Sequence, residues 1–319
     1  MTMTVKYLRA ALVASVLYAC TPIKGNPATE PSVFDAPWIN GREKTEPTLQ
    51  AQHYDENTVV IRQSLRTNFE APFMYLIFGT ESALLIDSGA GSVNLRSLVD
   101  QKVKDWLNKM GRESLSLIVM HTHSHADHVA ADEQFRDRED TAVVGHKVND
   151  VVDFFQFENW PNSSTSLDLG ERIVDIIPTP GHHDTHLMIY DRATRILFSG
   201  DVIYPGRLYF PCGSAREFTN SIDRLADFIA TRPVDWIFGA HIELSNKPGK
   251  MYDSNDIARA DERRLEMSPN SITAIQIALR GMGDVPRVLP HDEFVLFPYP
   301  PDPRRKSPPD WCRPALRPN

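Results

Sequence analysis

The sequence predicts a layered α/β fold. Short apolar runs separated by turn residues indicate strands at residues 59–61, 73–78 and 83–87. Residues 93–110 then repeat apolar side chains at the spacing of one helix face. Another apolar run, residues 115–119, follows that segment. Strands on both sides of an amphipathic helix are typical of sheets that carry helices on their outer faces.

The composition is that of a globular protein with a sizeable core. The 319 residues are 41% hydrophobic and 24% charged. This length allows one large domain or two small ones. The net charge is −8 and the pI is near 5.8. No basic face is therefore indicated, and nucleic acid is not expected as a general partner.

The N-terminus predicts export. Lys6 and Arg9 precede an apolar stretch at residues 10–19, which is shorter than the roughly 20 residues that span a bilayer. The Leu-Tyr-Ala-Cys run ending at Cys20 resembles a bacterial lipobox. We expect residues 1–20 to be a lipoprotein signal peptide, with a lipid anchor at Cys20 in the cell envelope or periplasm. An ordinary secretory peptide cut nearby is the alternative.

Three further segments are expected after the signal peptide. Residues 21–52 are rich in Pro, Thr, Asn and Glu, which predicts a tether and an irregular lead-in. Residues 53–250 form the main domain, and residues 251–319 form a helical and Pro-rich extension packed on it. A disulfide between Cys212 and Cys312 would fix the tail in an oxidising compartment. Two separate buried thiols are the alternative.

Residues 120–128, Met-His-Thr-His-Ser-His-Ala-Asp-His, concentrate imidazoles directly after the strand at 115–119. His123 and His125 are two residues apart, so in an extended segment both project to one side, as a chelating pair must. Asp127 and His128 follow as the chain turns, and they could serve a second ion. A polar loop with a chance His cluster is the alternative, but metal sites are what concentrate His and Asp so tightly.

Three other predicted strands end in residues of the same chemistry. The strand at 173–177 leads into Pro-Thr-Pro-Gly-His, whose Pro-Gly turn restricts the backbone and presents His182. The run at 195–201 ends in Gly-Asp, at Asp201. The run at 234–241 ends in His241.

These four motifs, in this order between Val59 and His241, resemble those of the metallo-β-lactamase-fold hydrolases. The resemblance implies an αββα sandwich of two packed mixed sheets with outer helices. It makes Asp87, in Leu-Leu-Ile-Asp-Ser-Gly, a buried carboxylate that braces the metal loop; a turn-forming Asp before Gly is the alternative. Asp201 is similar to the bridging carboxylate of glyoxalase II-like and lactonase-like members. The β-lactamases of this fold have Cys or Ser there, so β-lactam hydrolysis is not the expected main activity.

The resemblance implies two divalent metal ions held by nitrogen and carboxylate ligands. The implied ligands are His123, His125 and His182 for one ion, Asp127, His128 and His241 for the other, and Asp201 as the bridge. Such ligands suit zinc best, although iron or manganese could occupy them. Asp127 would also orient the attacking water. Tyr204, three residues after Asp201, would donate a hydrogen bond to an oxyanion, with a packed aromatic residue as the alternative.

The expected activity is metal-dependent hydrolysis of a small-molecule ester, lactone, thioester or amide by a metal-activated water. The alternatives are an iron-dependent oxidoreductase of the same fold, such as a persulfide dioxygenase, and a non-catalytic, metal-stabilised surface binding protein. Flavin-linked di-iron relatives carry Glu where His125 stands, and the complete ligand set argues against a binding protein. We expect His183 and His186 to line the site without binding metal, and His146 to be structural.

Overall fold

The computed structural model describes residues 32–247, 250–283 and 286–299. The predicted signal peptide, the anchor at Cys20 and the proposed disulfide partner Cys312 lie outside these ranges. Among the described helices, none has the length and apolar character that crossing a membrane requires.

One sheet has six strands in sequence order. It comprises β1 (Leu49–Asp55), β2 (Thr58–Gln63), β3 (Phe73–Phe78), β4 (Ser82–Ile86), β5 (Ser116–Met120) and β6 (Thr141–Val143). The strands from β1 to β4 are antiparallel, whereas β4, β5 and β6 are parallel. Helix α1 (Leu95–Met110) connects β4 to β5, because parallel neighbours need a crossover.

The second sheet also has six strands, in the order β13-β12-β10-β9-β8-β7. They are β7 (Thr165–Asp168), β8 (Ile173–Pro178), β9 (Leu187–Asp191), β10 (Ile196–Gly200), β12 (Trp236–Gly239) and β13 (Glu266–Met267). Strand β9 is antiparallel to both β8 and β10, and β12 is parallel to β10. Strands β8, β10 and β12 therefore run in one direction, and their carboxyl ends meet at one edge.

Among the described residues, the remaining elements are a small sheet, four α-helices and two short 3₁₀ helices. The small sheet joins β11 (Arg207–Pro211), β14 (Leu289–Pro290) and β15 (Val295–Tyr299), with β11 and β15 parallel. The α-helices are α2 (Ala126–Val129), α3 (Val148–Phe155), α4 (Ala215–Ile229) and α5 (Asn270–Met282).

The main core lies between the two six-stranded sheets. Tyr75 and Ile86 of the first sheet belong to one buried cluster with Ile189, Phe198 and Phe238 of the second. A second cluster buries α4 and α5 against the second sheet, and a third buries α1 against the first. Each fully buried large side chain contributes roughly 1.5–3 kcal/mol. The layers therefore run helix, sheet, sheet, helix, and the αββα sandwich is confirmed.

The lead-in is more ordered than the sequence predicts. Strand β1 includes Leu49 and pairs with β2 from Leu49 to Asp55. Phe34 packs edge-on to Trp38 at 4.9 Å and enters the main core. The sequence does not predict this strand because its apolar pattern is weak. Gln and His alternate with small or apolar residues along this edge strand.

The charged segment at 254–267, part of the extension that the sequence predicts to be helical, forms turns that end in β13. Two of its charged side chains, Arg259 and Glu262, are largely buried and bond to other buried groups. Glu262 pairs with the fully buried Arg62 at 2.6 and 2.7 Å, and Arg259 donates to the carbonyl of Ile242. These long-range bonds outweigh helix propensity, which is a weak determinant. Strand β13 lies beyond residue 250 and extends the second sheet. The domain boundary at residue 250 stays a prediction.

Candidate metal centre

The four motifs meet at one edge of the sandwich. The loop after β5 carries His123 and His125, and the short helix α2 that follows it carries Asp127 and His128. The turns after β8, β10 and β12 carry His182, Asp201 and His241. The common direction of β8, β10 and β12 places the last three at the same edge, and the loop after β5 faces them across the sandwich. All seven predicted ligands are therefore brought together.

One group consists of His123, His125, His182 and Asp201, whose ligand atoms all lie within 4.8 Å of one another. His123 Nε2 lies 2.8 Å from His125 Nδ1 and 3.2 Å from His182 Nε2. His182 Nε2 lies 3.1 Å from His125 Nδ1 and 3.5 Å from Asp201 Oδ2. Three imidazole nitrogens converge on one point, which is the arrangement a metal ion requires.

A second group joins Asp127, His128 and His241 to the same Asp201. Asp127 Oδ2 lies 3.3 Å from Nε2 of both His128 and His241. Asp201 Oδ1 lies 3.4 Å from His128 Nε2 and 3.2 Å from His241 Nε2. Asp201 thus turns one oxygen toward each group, and it stands where a carboxylate shared by two ions would stand.

Three buried atoms test whether cations fit these groups. Nε2 of His128, Nε2 of His241 and Oδ1 of Asp201 are buried and have no hydrogen-bond partner among the described residues. A buried polar atom without a partner costs roughly 1–3 kcal/mol. All three face the second group, where a cation would satisfy them together. The residues present therefore fit a metal ion.

Three of the imidazoles have an outward nitrogen that is held by a partner. His128 Nδ1 donates to Asp87 at 2.8 Å, His182 Nδ1 to the Tyr209 carbonyl at 2.7 Å, and His241 Nδ1 to the Glu70 carbonyl at 2.9 Å. Such bonds fix the tautomer and direct Nε2 at the ion.

Asp87 is buried and also accepts from the backbone N–H of Thr122 at 2.6 Å. Since Thr122 opens the loop that carries His123 and His125, Asp87 holds that loop as well as the His128 ring. These are the contacts that the bracing role predicted for Asp87 requires.

Gly200 allows the end of β10 to approach the metal loop. Its φ is +52°, and a Cβ there would lie 2.8 Å from both Thr122 Cβ and His186 Nε2. A side chain would therefore clash and strain the backbone. The Gly-Asp motif combines a residue without a side chain with the carboxylate that follows it.

His186 has a positioning role that the sequence did not reveal. Its Nε2 accepts a hydrogen bond from the backbone N–H of Asp201 at 3.2 Å, and its Nδ1 lies 2.8 Å from Thr179 Oγ1. His183 bonds to Thr185 at 2.9 Å and is only partly buried. Neither belongs to the two groups, as expected.

A third group of His121, Asp132 and His146 lies beside the loop. Asp132 accepts from Nε2 of His121 at 2.8 Å and from Nε2 of His146 at 2.7 Å, and it also accepts from Ser88 at 2.7 Å. Nδ1 of His121 is buried and has no partner among the described residues, unlike the outward nitrogens of His128, His182 and His241. The geometry is that of a hydrogen-bonded clamp, which agrees with the structural role predicted for His146. Asp132 escaped the sequence analysis because nothing local links it to His121.

Burial and nearby carboxylates shift the pKa values of the histidines in opposite directions. Burial lowers the pKa of His182 to about 4 and holds the pKa of His123 well below its usual range. These imidazoles stay neutral at pH 7, the form that binds metal. Burial also opposes the charged form of His241, but Asp201 and Asp127 outweigh it and raise the pKa of His241.

A cavity of about 350 Å³ opens over the two groups. Its lining combines metal-group residues with acidic and aromatic ones: Glu70, His125, Asp127, His182, Asp201, Tyr204, Tyr209, His241, Glu243 and Tyr299. It is a pocket of the size that small-molecule sites have.

Tyr204 is buried and lines this pocket, with its ring 5.7 Å from that of His241. Its hydroxyl donates to the carbonyl of Arg207 and lies 3.4 Å from Glu243 Oε2. The hydroxyl has one proton, so an oxyanion role would require the bond to Arg207 to break. That role stays a prediction.

Comparison with known proteins gives the following similarities. The family model described as the Metallo-beta-lactamase superfamily matches residues 67–241. The acyl-coenzyme A thioesterase MBLAC2 of Bos taurus is 24% identical over 207 residues, which cover 53% of this chain and 72% of that protein. The hydroxyacylglutathione hydrolase of Rhizobium meliloti is 27% identical over 129 residues, which cover 40% of this chain and 48% of that protein. The crystal structure of the DIM-1 metallo-beta-lactamase covers 74% of this chain and 99% of its own, with 15% identity and a TM-score of 0.49.

Proposed function

The chain belongs to the metallo-beta-lactamase superfamily and is a hydrolase of that fold, and from this premise we propose that it is a dinuclear zinc enzyme that cleaves a small acyl compound, with a thioester as the favoured class. One observation carries the proposal. The two oxygens of Asp201 face different groups of imidazoles, so one carboxylate serves both.

Each of the two groups would hold one of the two proposed ions. The residues that would hold one ion are His123, His125 and His182, those that would hold the other are Asp127, His128 and His241, and Asp201 would be shared. Imidazole-rich ligation with carboxylates suits zinc, and iron or manganese would fit the same atoms less well. When bound, such ions lower the pKa of water toward neutrality and polarise a carbonyl oxygen.

The protein's own side chains would contribute to hydrolysis by orienting the attacking water and the imidazoles. Asp127 lines the pocket and belongs to the second group. Its carboxylate would accept a hydrogen bond from the attacking water and direct it at the acyl carbon. The bonds from Asp87 and from the carbonyls of Tyr209 and Glu70 keep the imidazoles fixed, so little reorganisation is needed during the reaction.

The substrate class is supported by the chemistry named for two relatives. One is named for acyl-coenzyme A and the other for hydroxyacylglutathione. Both compounds carry an acyl group, as a substrate cleaved by attack at a carbonyl must. The Asp at position 201, in place of the Cys or Ser of β-lactamases, points away from β-lactams.

The cellular location is also proposed, on the sequence alone. The apolar stretch and the Leu-Tyr-Ala-Cys run at Cys20 support export and a lipid anchor in a bacterial cell envelope. The pocket would then face substrates outside the cytoplasm.

The experiment that tests the function combines metal analysis with substrate cleavage. The purified protein should contain close to two zinc ions per chain and should hydrolyse S-butyryl-N-acetylcysteamine faster than butyrolactone or a chromogenic β-lactam. Chelation should abolish the activity, and zinc should restore it. Active protein without stoichiometric metal would refute the mechanism, and stoichiometric iron would favour the oxidoreductase alternative.

A further inference from the structure

The pocket has a wall that the metal groups do not use. Apart from the metal-group residues, its described lining consists of three tyrosines and two glutamates, namely Tyr204, Tyr209, Tyr299, Glu70 and Glu243. No lysine or arginine belongs to the described lining. Aromatic faces and carboxylates both attract cations.

Two of the tyrosines form adjoining sides of the wall. Tyr209 lies on β11 and Tyr299 on β15, and the two strands pair in parallel. Their ring centroids are 6.4 Å apart and the planes meet at 69°. Both side chains are half-buried, so their rings remain available to a ligand. Rings set at an angle around a small space are the arrangement that recognises ammonium groups.

The two glutamates differ in their partners. Glu243 accepts from the backbone N–H of Arg207 at 2.7 Å, and its other oxygen lies 3.4 Å from the Arg207 guanidinium. The carboxylate of Glu70 has no hydrogen bond or ion pair with any residue in the part of the chain that the structure describes. Its position is nevertheless fixed, because the Glu70 carbonyl accepts from His241 at 2.9 Å. Glu70 therefore has no direct ion-pair partner among the described residues, although the His241 imidazole attracts its carboxylate through space.

We propose that this wall binds a positively charged group of the substrate, with Glu70 as the counter-charge and Tyr209 and Tyr299 as the aromatic sides. The substrate class is an acyl thioester whose thiol part carries an ammonium group. This inference rests on the proposed function for the reaction, but the cation site itself does not require hydrolysis. The same wall repels a carboxylate at that position.

The test uses three thioesters that share the butyryl group and differ in charge. They are butyrylthiocholine (cationic), S-butyryl-N-acetylcysteamine (neutral) and S-butyryl-3-mercaptopropionate (anionic), with thiol release followed at pH 8. The native enzyme should show kcat/KM about tenfold higher for the cation than for the neutral compound, and lower still for the anion. Glu70→Gln should remove most of this preference, and Tyr299→Leu should weaken it. Glu158→Gln, at an exposed position, is the control and should keep it.

A binding measurement separates the cation site from the reaction. Calorimetric titration with the thioether S-butylthiocholine, which cannot be hydrolysed, should give binding that weakens about tenfold in Glu70→Gln and not in Glu158→Gln. Cation binding without hydrolysis of any thioester would sustain the inference and refute the thioesterase. Equal kcat/KM for all three compounds together with equal binding in both variants would overturn the inference and leave the hydrolase intact. Because Tyr299 lies on β15 and Glu70 lies in the turn between β2 and β3, the Tyr299 variant keeps the test valid if Glu70→Gln does not fold.

Discussion

The carboxylate of Asp87 accepts a hydrogen bond from Nδ1 of His128 at 2.8 Å, and both side chains are fully buried. Asp87 has a φ of +65°, a conformation that non-glycine residues seldom adopt. The same carboxylate accepts from the backbone N–H and the hydroxyl of Thr122. One residue under strain therefore orients a candidate ligand and the start of the metal loop.

Asp87→Asn should weaken metal binding about 10- to 100-fold. The amide keeps the volume of the carboxylate, but its NH2 group must face a donor, either His128 or Thr122. Competition with a chromogenic chelator measures the affinity. Asp153→Ala, an exposed position on α3, is the control and should bind as the native protein does. Native affinity in Asp87→Asn would show that the brace is dispensable.

Gly200→Ala should destabilise the fold more than Gly111→Ala. Both glycines have a positive φ, +52° and +65°, so both substitutions carry backbone strain of about 1 kcal/mol. Only at Gly200 would the new Cβ also lie 2.8 Å from two neighbours, whereas nothing lies within 4 Å at Gly111. Urea unfolding of the metal-free proteins measures the difference. Equal losses would show that the loop shifts freely, against the packing described here.

The free energy of unfolding of the metal-free protein should depend on pH through His182. Its pKa is lowered to about 4 in the fold, chiefly by burial, from an ordinary value of 6.5. The unfolded chain therefore binds a proton between these values that the folded chain does not. The stabilisation is complete above pH 6.5 and is lost as pH falls toward 4, by about 3 kcal/mol. His182→Asn should flatten this part of the pH profile, and an unchanged slope would contradict the burial effect.

The ligand set was predictable because each member follows a strand within a short motif. Local spacing alone indicated the pair of His123 and His125, whereas the family resemblance of the motifs implied His182 and His241. The topology then brings them together, since strands β8, β10 and β12 run in one direction. Local pattern and global fold agree at these positions, as natural sequences tend to do.

The parts that escaped the sequence analysis depend on pairing between distant segments. Tyr299 reaches the pocket only because β15 pairs with β11, and Asp132 meets His121 only after the loop has folded. The segment at 254–267 belongs to the extension predicted to be helical, but it forms turns in which Glu262 pairs with the buried Arg62. Such contacts join residues that are far apart in the chain and produce no regular spacing in the sequence. The sequence pattern could therefore not predict them.

The central claim is that Asp201 serves two ions, and Asp201→Asn tests it most directly. The amide preserves the volume but removes the charge that faces both groups, so the ion held by Asp127, His128 and His241 should be lost first. The group of His123, His125 and His182 should keep one ion, and hydrolysis should fall by about 10²-fold or more.

The measurement is metal content per chain, taken beside turnover, in Asp201→Asn and in His183→Ala, which alters a nearby imidazole outside both groups. We expect about one ion and little activity in the first variant, and two ions and most of the activity in the second. Two tightly held ions and near-native turnover in Asp201→Asn would contradict the shared carboxylate.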